Sequence, residues 1–157
     1  MSDSASYWDW AIEVHGRDGV DAALMELQDE HGQGVAYLLW AAWAASEGRE
    51  LDPMLLAQGA MLAAHWEAAA TGPLRHARRE LKAAAPPIDD DARLALREKV
   101  RKVEFAAEHL LMNTLEGLTP APSGRAIGLA EAMIAAAAAW GRPAPSTMLH
   151  ALAHRLG

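Results

Sequence analysis

The stretch that decides the fold is Leu24-Met-Glu-Leu-Gln-Asp-Glu-His-Gly-Gln-Gly-Val-Ala-Tyr-Leu-Leu-Trp-Ala-Ala-Trp43. An acidic amphipathic segment runs into Gly32, and an almost wholly apolar one follows it. A helix that is apolar on every side has to be surrounded by protein. The segment from about Gly34 to Glu47 is therefore expected at the centre of a helical bundle. Neither half of the stretch names a reaction.

Working outward, glycine and proline punctuate the rest of the chain. A first helix is expected from Ser6 to His15, closed by Gly16. A second starts near Asp18 and carries the stripe Val20, Leu24 and Leu27. After the central helix, Asp52-Pro53 reads as an N-cap followed by proline at the first helical position. That fourth helix carries Leu55, Gly59, Leu62 and Trp66, and Thr71-Gly-Pro73 is expected to end it. A short basic helix runs from Pro73 to about Ala84 and breaks at Pro86-Pro87. Asp89-Asp-Asp91 then opens the longest helix, to about Glu116, because acids complement the dipole at a helix N-terminus.

Along that helix Leu96, Val100, Val103, Ala107, Leu110 and Thr114 alternate spacings of four and three, a seam of the kind that packs on a neighbour. Pro120 and Pro122 mark a linker. A seventh helix, about Ser123 to Trp140, and an eighth, Ser146 to Leu156, follow. The expected fold is all-α, a single-domain bundle of seven or eight helices. Residues 1–119 form its core, and residues 120–157 a helical extension packed on that core. The extension's stripe of Leu129, Met133, Ala137 and Trp140 needs a partner surface, either this chain or a second copy in a homodimer.

Composition agrees. Alanine and leucine dominate a chain of 157 residues, a mixture that favours helix over sheet. There is no cysteine, which excludes disulfides, thiolate metal sites and a cysteine nucleophile. No signal peptide is read at Met1-Ser-Asp, and the longest apolar run, Val35 to Ala45, is short of the ~20 residues a membrane helix needs. A cytoplasmic protein without a membrane span is expected.

The net charge of −7 is unevenly spread: residues 1–72 carry −10, residues 73–102 carry +4, and the remainder carries −1. The basic part is organised. Arg75, Arg78, Arg79 and Lys82 fall at i, i+3, i+4 and i+7, on one helix face. Arg93, Arg97 and Arg101 form a second row. Guanidinium pairs suit carboxylates and phosphates, although such rows are more often surface or ion-pair decoration. A nucleic-acid partner is disfavoured, because the chain is acidic and lacks any nucleic-acid fold signature.

Acid–histidine groups occur twice, at Glu26, Asp29, Glu30 and His31 and at Glu104, Glu108 and His109. Bundle metal centres use Glu-x-x-His pairs, and this sequence contains none. No metal is expected, no catalytic residue is assigned, and without a Gly-x-Gly-x-x-Gly or Walker loop no cofactor is expected either. The six tryptophans are mostly expected in the core, with Tyr7, Trp10 and Trp140 as rival exposed anchors.

A run of residues resembles one family. They are Val20, Leu24, Leu27-Gln28, His31-Gly32, Val35, Leu38-Leu39, Trp43, Trp66, Pro73-Leu74-Arg75, Arg78-Arg79, Leu81-Lys82, Arg97, Val100 and Glu104. The family comprises small helical proteins, mostly proteobacterial, known by a placeholder name for unknown function. The resemblance spans about residues 8–112 and implies the helical fold and a bacterial source. Ala36 departs from the pattern, where a polar residue is expected, and so does His15, where an aromatic is expected.

Two functional expectations follow. The favoured one is a non-enzymatic interaction or adaptor module. It docks an acidic protein partner on Arg75, Arg78, Arg79 and Lys82, with Arg97 and Arg101 in support. The alternative is a small anionic-ligand-binding protein or enzyme with a pocket between helices two, three and four. There Arg75 or Arg78 holds the anion, and Glu30 or His31 acts as acid or base.

Overall fold

The computed structural model describes residues 4–157; Met1, Ser2 and Asp3, part of the signal-peptide reading, lie outside the described residues. Eight α-helices and one π-helical turn are found among them, with no strand. The helices are α1 (Tyr7–His15), α2 (Val20–Asp29), α3 (Val35–Ser46), α4 (Pro53–Trp66), α5 (Gly72–Glu80), α6 (Asp90–Leu118), α7 (Leu129–Trp140) and α8 (Ser146–Leu156). None is long and apolar enough to cross a membrane.

Helix α3 is buried on every side from Tyr37 to Ala45, as its apolar run requires. Trp40 and Trp43 lie wholly inside. A buried tryptophan removes roughly 150–250 Å² from water, on the order of 4 kcal/mol each at about 25 cal/mol per Å². Their indole N–H groups are satisfied by Thr119 Oγ1 at 2.7 Å and the Ala5 carbonyl at 3.1 Å. Gly59 of α4 lies where any Cβ would enter the Trp40 ring.

Several expected boundaries move. Helix α2 is entered through Gly19, at φ +76°, rather than through Asp18. Helix α7 begins at Leu129, because the 121–128 segment is irregular, bending at Gly124 with φ +77°, and its Ser123 N–H donates to the Gly48 carbonyl. Asp52 and Asp89 cap their helices as expected, accepting from the Leu55 and Ala92 N–H groups at 2.8 Å.

Thr71-Gly-Pro73 does not end a helix. Residues Glu67–Thr71 form a π turn that joins α4 directly to α5. Pro73 has no N–H to give. Widening the turn lets the Gly72 N–H reach the Glu67 carbonyl, so the chain continues past the missing donor. A Cβ on Gly72 would stand 2.6 Å from that carbonyl oxygen.

The long helix α6 buries Glu104, Ala107, Leu111, Met112 and Leu115. This face lies about a quarter turn from the expected seam, of which Leu96, Val103 and Leu110 remain exposed. Helices α7 and α8 belong to the same core: Met133, Ala136, Ala137, Leu149 and Leu152 are buried within it. The apolar face of α7 packs along α3 and α4 of its own chain.

Candidate functional site

A cleft of about 410 Å³ opens between α1, α2, α3, the π turn, α5 and α6. Its walls are apolar and aromatic, with Tyr7, Trp8, Leu24, Leu39, Leu111 and Trp140 prominent. Trp140 is held in place from both ends. Its ring stacks on Tyr37, centroids 5.4 Å apart, and its indole N–H donates to the Gly32 carbonyl at 2.8 Å. Gly34 leaves room for that ring, since a Cβ there would stand 2.7 Å from it. Trp8 stacks on His109 with centroids 3.9 Å apart and meets the edge of Phe105, so it is fixed over one turn of α6.

The polar side of the cleft is built by the π turn, α5 and α6. Arg78 donates from Nε and Nη2 to both oxygens of Glu104. Arg75 reaches three carboxylates: Glu67 at 3.4 Å, Glu104 at 3.6 Å and Glu108 at 3.9 Å. Glu104 is buried and has two guanidinium partners. Its hydrogen bonds hold the Arg78 guanidinium above its ordinary pKa.

Glu108 is placed differently. Among the described residues it has no partner closer than Arg75 Nη2 at 3.9 Å, and its carboxylate is open to the cleft. Burial pushes its carboxyl above the ordinary 4.5, the Glu104 charge adds to the rise, and Arg75, His15 and Arg78 oppose it. Burial, with the Glu108 charge second, also keeps the Tyr7 phenol neutral. At the rim His15 Nδ1 lies 2.5 Å from Asp21, and Arg79 lies 3.6 Å from Asp29.

The predicted residues therefore separate. Arg75 and Arg78 turn inward, their side chains only 16% and 23% exposed. Arg79 and Lys82 remain on the surface. Arg97 donates to the Arg78 carbonyl at 3.2 Å, and buried Arg93 donates to those of Leu81 and Lys82 at 2.7 and 3.0 Å. These two hold the C-terminal end of α5. Arg101 is exposed and pairs with Glu98 at 2.7 Å. Glu30 and His31 lie outside the cleft, grouped with Glu26 at the end of α2. Tyr7 is fully buried, and Trp10 and Trp140 are half-buried against the core rather than free anchors.

In the sequence Glu104 stands in the run that resembles the family, and Glu104 and Glu108 together read as candidate metal ligands. The signal for their actual setting is two acids four residues apart in an apolar stretch, with Arg75 and Arg78 three apart one helix earlier. Ala36 and His15, the two departures from the family pattern, both line the cleft.

The fold and site define an all-α bundle with a half-enclosed, aromatic-walled cleft over an ionic cluster. The family model described as protein of unknown function (DUF2390) matches residues 6–115, well over half of the chain. The chain belongs to that family. The matched span includes every lining residue of the cleft except Trp140. No curated protein and no solved structure matches the chain.

Proposed function

We propose that the cleft binds a small organic molecule with an apolar body and one polar end, and that Glu108 meets the polar end. The observation that carries this reading is Glu108 itself. It is a carboxyl without a hydrogen-bonded partner among the described residues, held among aromatic and aliphatic walls. Clefts of a few hundred Å³ with apolar lining and few polar groups are the usual form of small-molecule sites. A carboxyl with a raised pKa in such a cleft suits proton transfer or recognition of a proton donor. The acid–base role expected of Glu30 or His31 falls to Glu108 on this reading. π turns interrupting α-helices are frequent at functional sites, and this one supplies Glu67 to the cluster.

The test is a thermal-shift screen of a metabolite panel on wild type and Ile12→Trp. Ile12 is half-exposed at the cleft rim, so a larger ring there narrows the entrance without entering the core. Compounds that raise the wild-type Tm and fail to raise that of the variant support the cleft. Compounds that stabilise both equally contradict it.

A second reading, the adaptor, retains the part of the basic face that stays open. Arg79, Lys82 and Arg101 are exposed and would dock an acidic protein segment. Lys82→Glu/Arg101→Glu, which leaves the cleft untouched, would then abolish capture of that partner.

A further inference from the structure

We infer that the ligand of this cleft is an organic cation, an ammonium or amidinium group on an apolar or aromatic body, whose charge is received between Glu108 and Trp8. This rests on the cleft reading above and adds the sign of the ligand's charge.

At the rim the Arg79 guanidinium lies 3.6 Å from the Asp29 carboxylate, and the Asp21 carboxylate is held by the His15 ring at 2.5 Å. Inside, three carboxylates, Glu67, Glu104 and Glu108, face two guanidiniums, Arg75 and Arg78. Fully ionised, the inner group holds one negative charge without a counterion. Arg78 is bound to Glu104, and Arg75 lies nearer Glu67 and Glu104 than Glu108, at 3.4 and 3.6 Å against 3.9 Å, so the least compensated charge is that of Glu108. In a half-enclosed apolar site such a charge is costly unless a proton or a cation neutralises it.

The two arginines that would have held an anion are already engaged. Admitting an anion would set it against Glu104 and Glu108 or require breaking the Arg78–Glu104 pair. A cation meets the opposite situation, with the open Glu108 carboxylate of α6 on one side and, on the other, the Trp8 indole of α1, which stacks on the neighbouring His109. Aromatic faces attract cations, Trp most of all. The remaining lining, Leu24, Leu39, Leu111 and Met112, suits an apolar body behind the charge.

A metal ion does not fit this description. Among the described residues, only Glu26, Glu30 and His31 bring three ligand atoms within 4.8 Å of one another, and they lie outside the cleft.

The experiment titrates three probes with the same phenyl-ethyl body into the full chain: phenethylamine, 2-phenylethanol and 3-phenylpropionate. Affinity is read from tryptophan fluorescence, in wild type and in Glu108→Gln. The amine is expected to bind at least about tenfold more tightly than either of the others, a factor that corresponds to 1.4 kcal/mol. Glu108→Gln is expected to erase that preference while leaving the alcohol unchanged. Equal or tighter binding of the alcohol or the carboxylate overturns the cation assignment and leaves the cleft reading standing. An amine preference that survives in Glu108→Gln overturns the role given to Glu108. Failure of all three to bind overturns both the assignment and the cleft reading.

Discussion

Arg78 Nη2 donates to Glu104 Oε1 at 3.3 Å while Arg78 Nε donates to Glu104 Oε2, so a single residue pair ties α5 to α6 by two hydrogen bonds. Arg75 approaches the same carboxylate from the side at 3.6 Å. The inward pair of the basic stripe, Arg75 and Arg78, thus seats α5 on α6 and forms the polar side of the cleft.

Removing both members of that pair should cost less than the sum of removing each alone. Glu104→Ala leaves the largely buried Arg78 guanidinium without its carboxylate and Arg75 with only Glu67 and Glu108, for which a loss of about 3 kcal/mol is expected, the low end for a broken buried pair because both arginines keep some solvent. Arg78→Met/Glu104→Met should cost less than the sum of its two singles by about 1–3 kcal/mol. Urea unfolding of wild type, Arg78→Met, Glu104→Met and the double variant measures this coupling. Additive losses would show that the pair contributes only packing.

Gly72→Ala addresses the π turn. The added Cβ would meet the Glu67 carbonyl at 2.6 Å, a backbone atom with no room to yield. A loss of about 1–3 kcal/mol is expected. Gly117→Ala is the control, since nothing lies within 4 Å of its Cβ position and it sits inside α6. There a gain of roughly 0.4–1 kcal/mol is expected. Thermal unfolding of both variants checks the contrast.

Glu108 gives a pH dependence of defined sign. Its folded-state pKa is raised above 4.5, so between that value and the raised one the native chain holds the extra proton. Stability contributed by this group therefore falls as pH rises through the window. Glu108→Gln should flatten that part of the profile and raise the Tm at neutral pH. The gain should not exceed about 2–4 °C, the equivalent of about 1 kcal/mol in a domain of this size, because the side chain is 40% exposed and screened. A variant less stable than wild type at neutral pH would contradict this placement.

A chain ending at Thr119 should fail to fold. It would strip Met133, Ala136 and Ala137 from α3, and Trp140 from Tyr37. The apolar surface uncovered exceeds what a stability of about 5–15 kcal/mol tolerates. Circular dichroism of the truncated chain is the check, and cooperative unfolding would make the C-terminal helices dispensable.

Much of the architecture was legible because it rests on local chemistry. The apolar Val35–Ala45 run required a central helix, and Asp52-Pro53 and Asp89 are caps that work by side-chain geometry alone. What escaped the sequence was tertiary. Gly72-Pro73 looks like a terminator, because a π turn depends on contacts that hold the chain through it. The Leu96–Val103–Leu110 seam has perfect coiled-coil spacing, yet α5 and the core meet α6 through Glu104, Ala107 and Leu111 instead. Glu108 was visible as an acid, but its isolation depends on which neighbours Arg75 and Arg78 choose.

The cleft itself is tested most directly by the six tryptophan indole N–H signals in a ¹H–¹⁵N NMR fragment screen. Trp8 and Trp140 line the cleft, whereas Trp43 and Trp66 are tied elsewhere, to the Ala5 and Ala107 carbonyls. Aromatic amine fragments are expected to shift the Trp8 and Trp140 signals while sparing Trp43 and Trp66. Shifts centred on Trp43 or Trp66, or none across the library, would contradict the cleft reading.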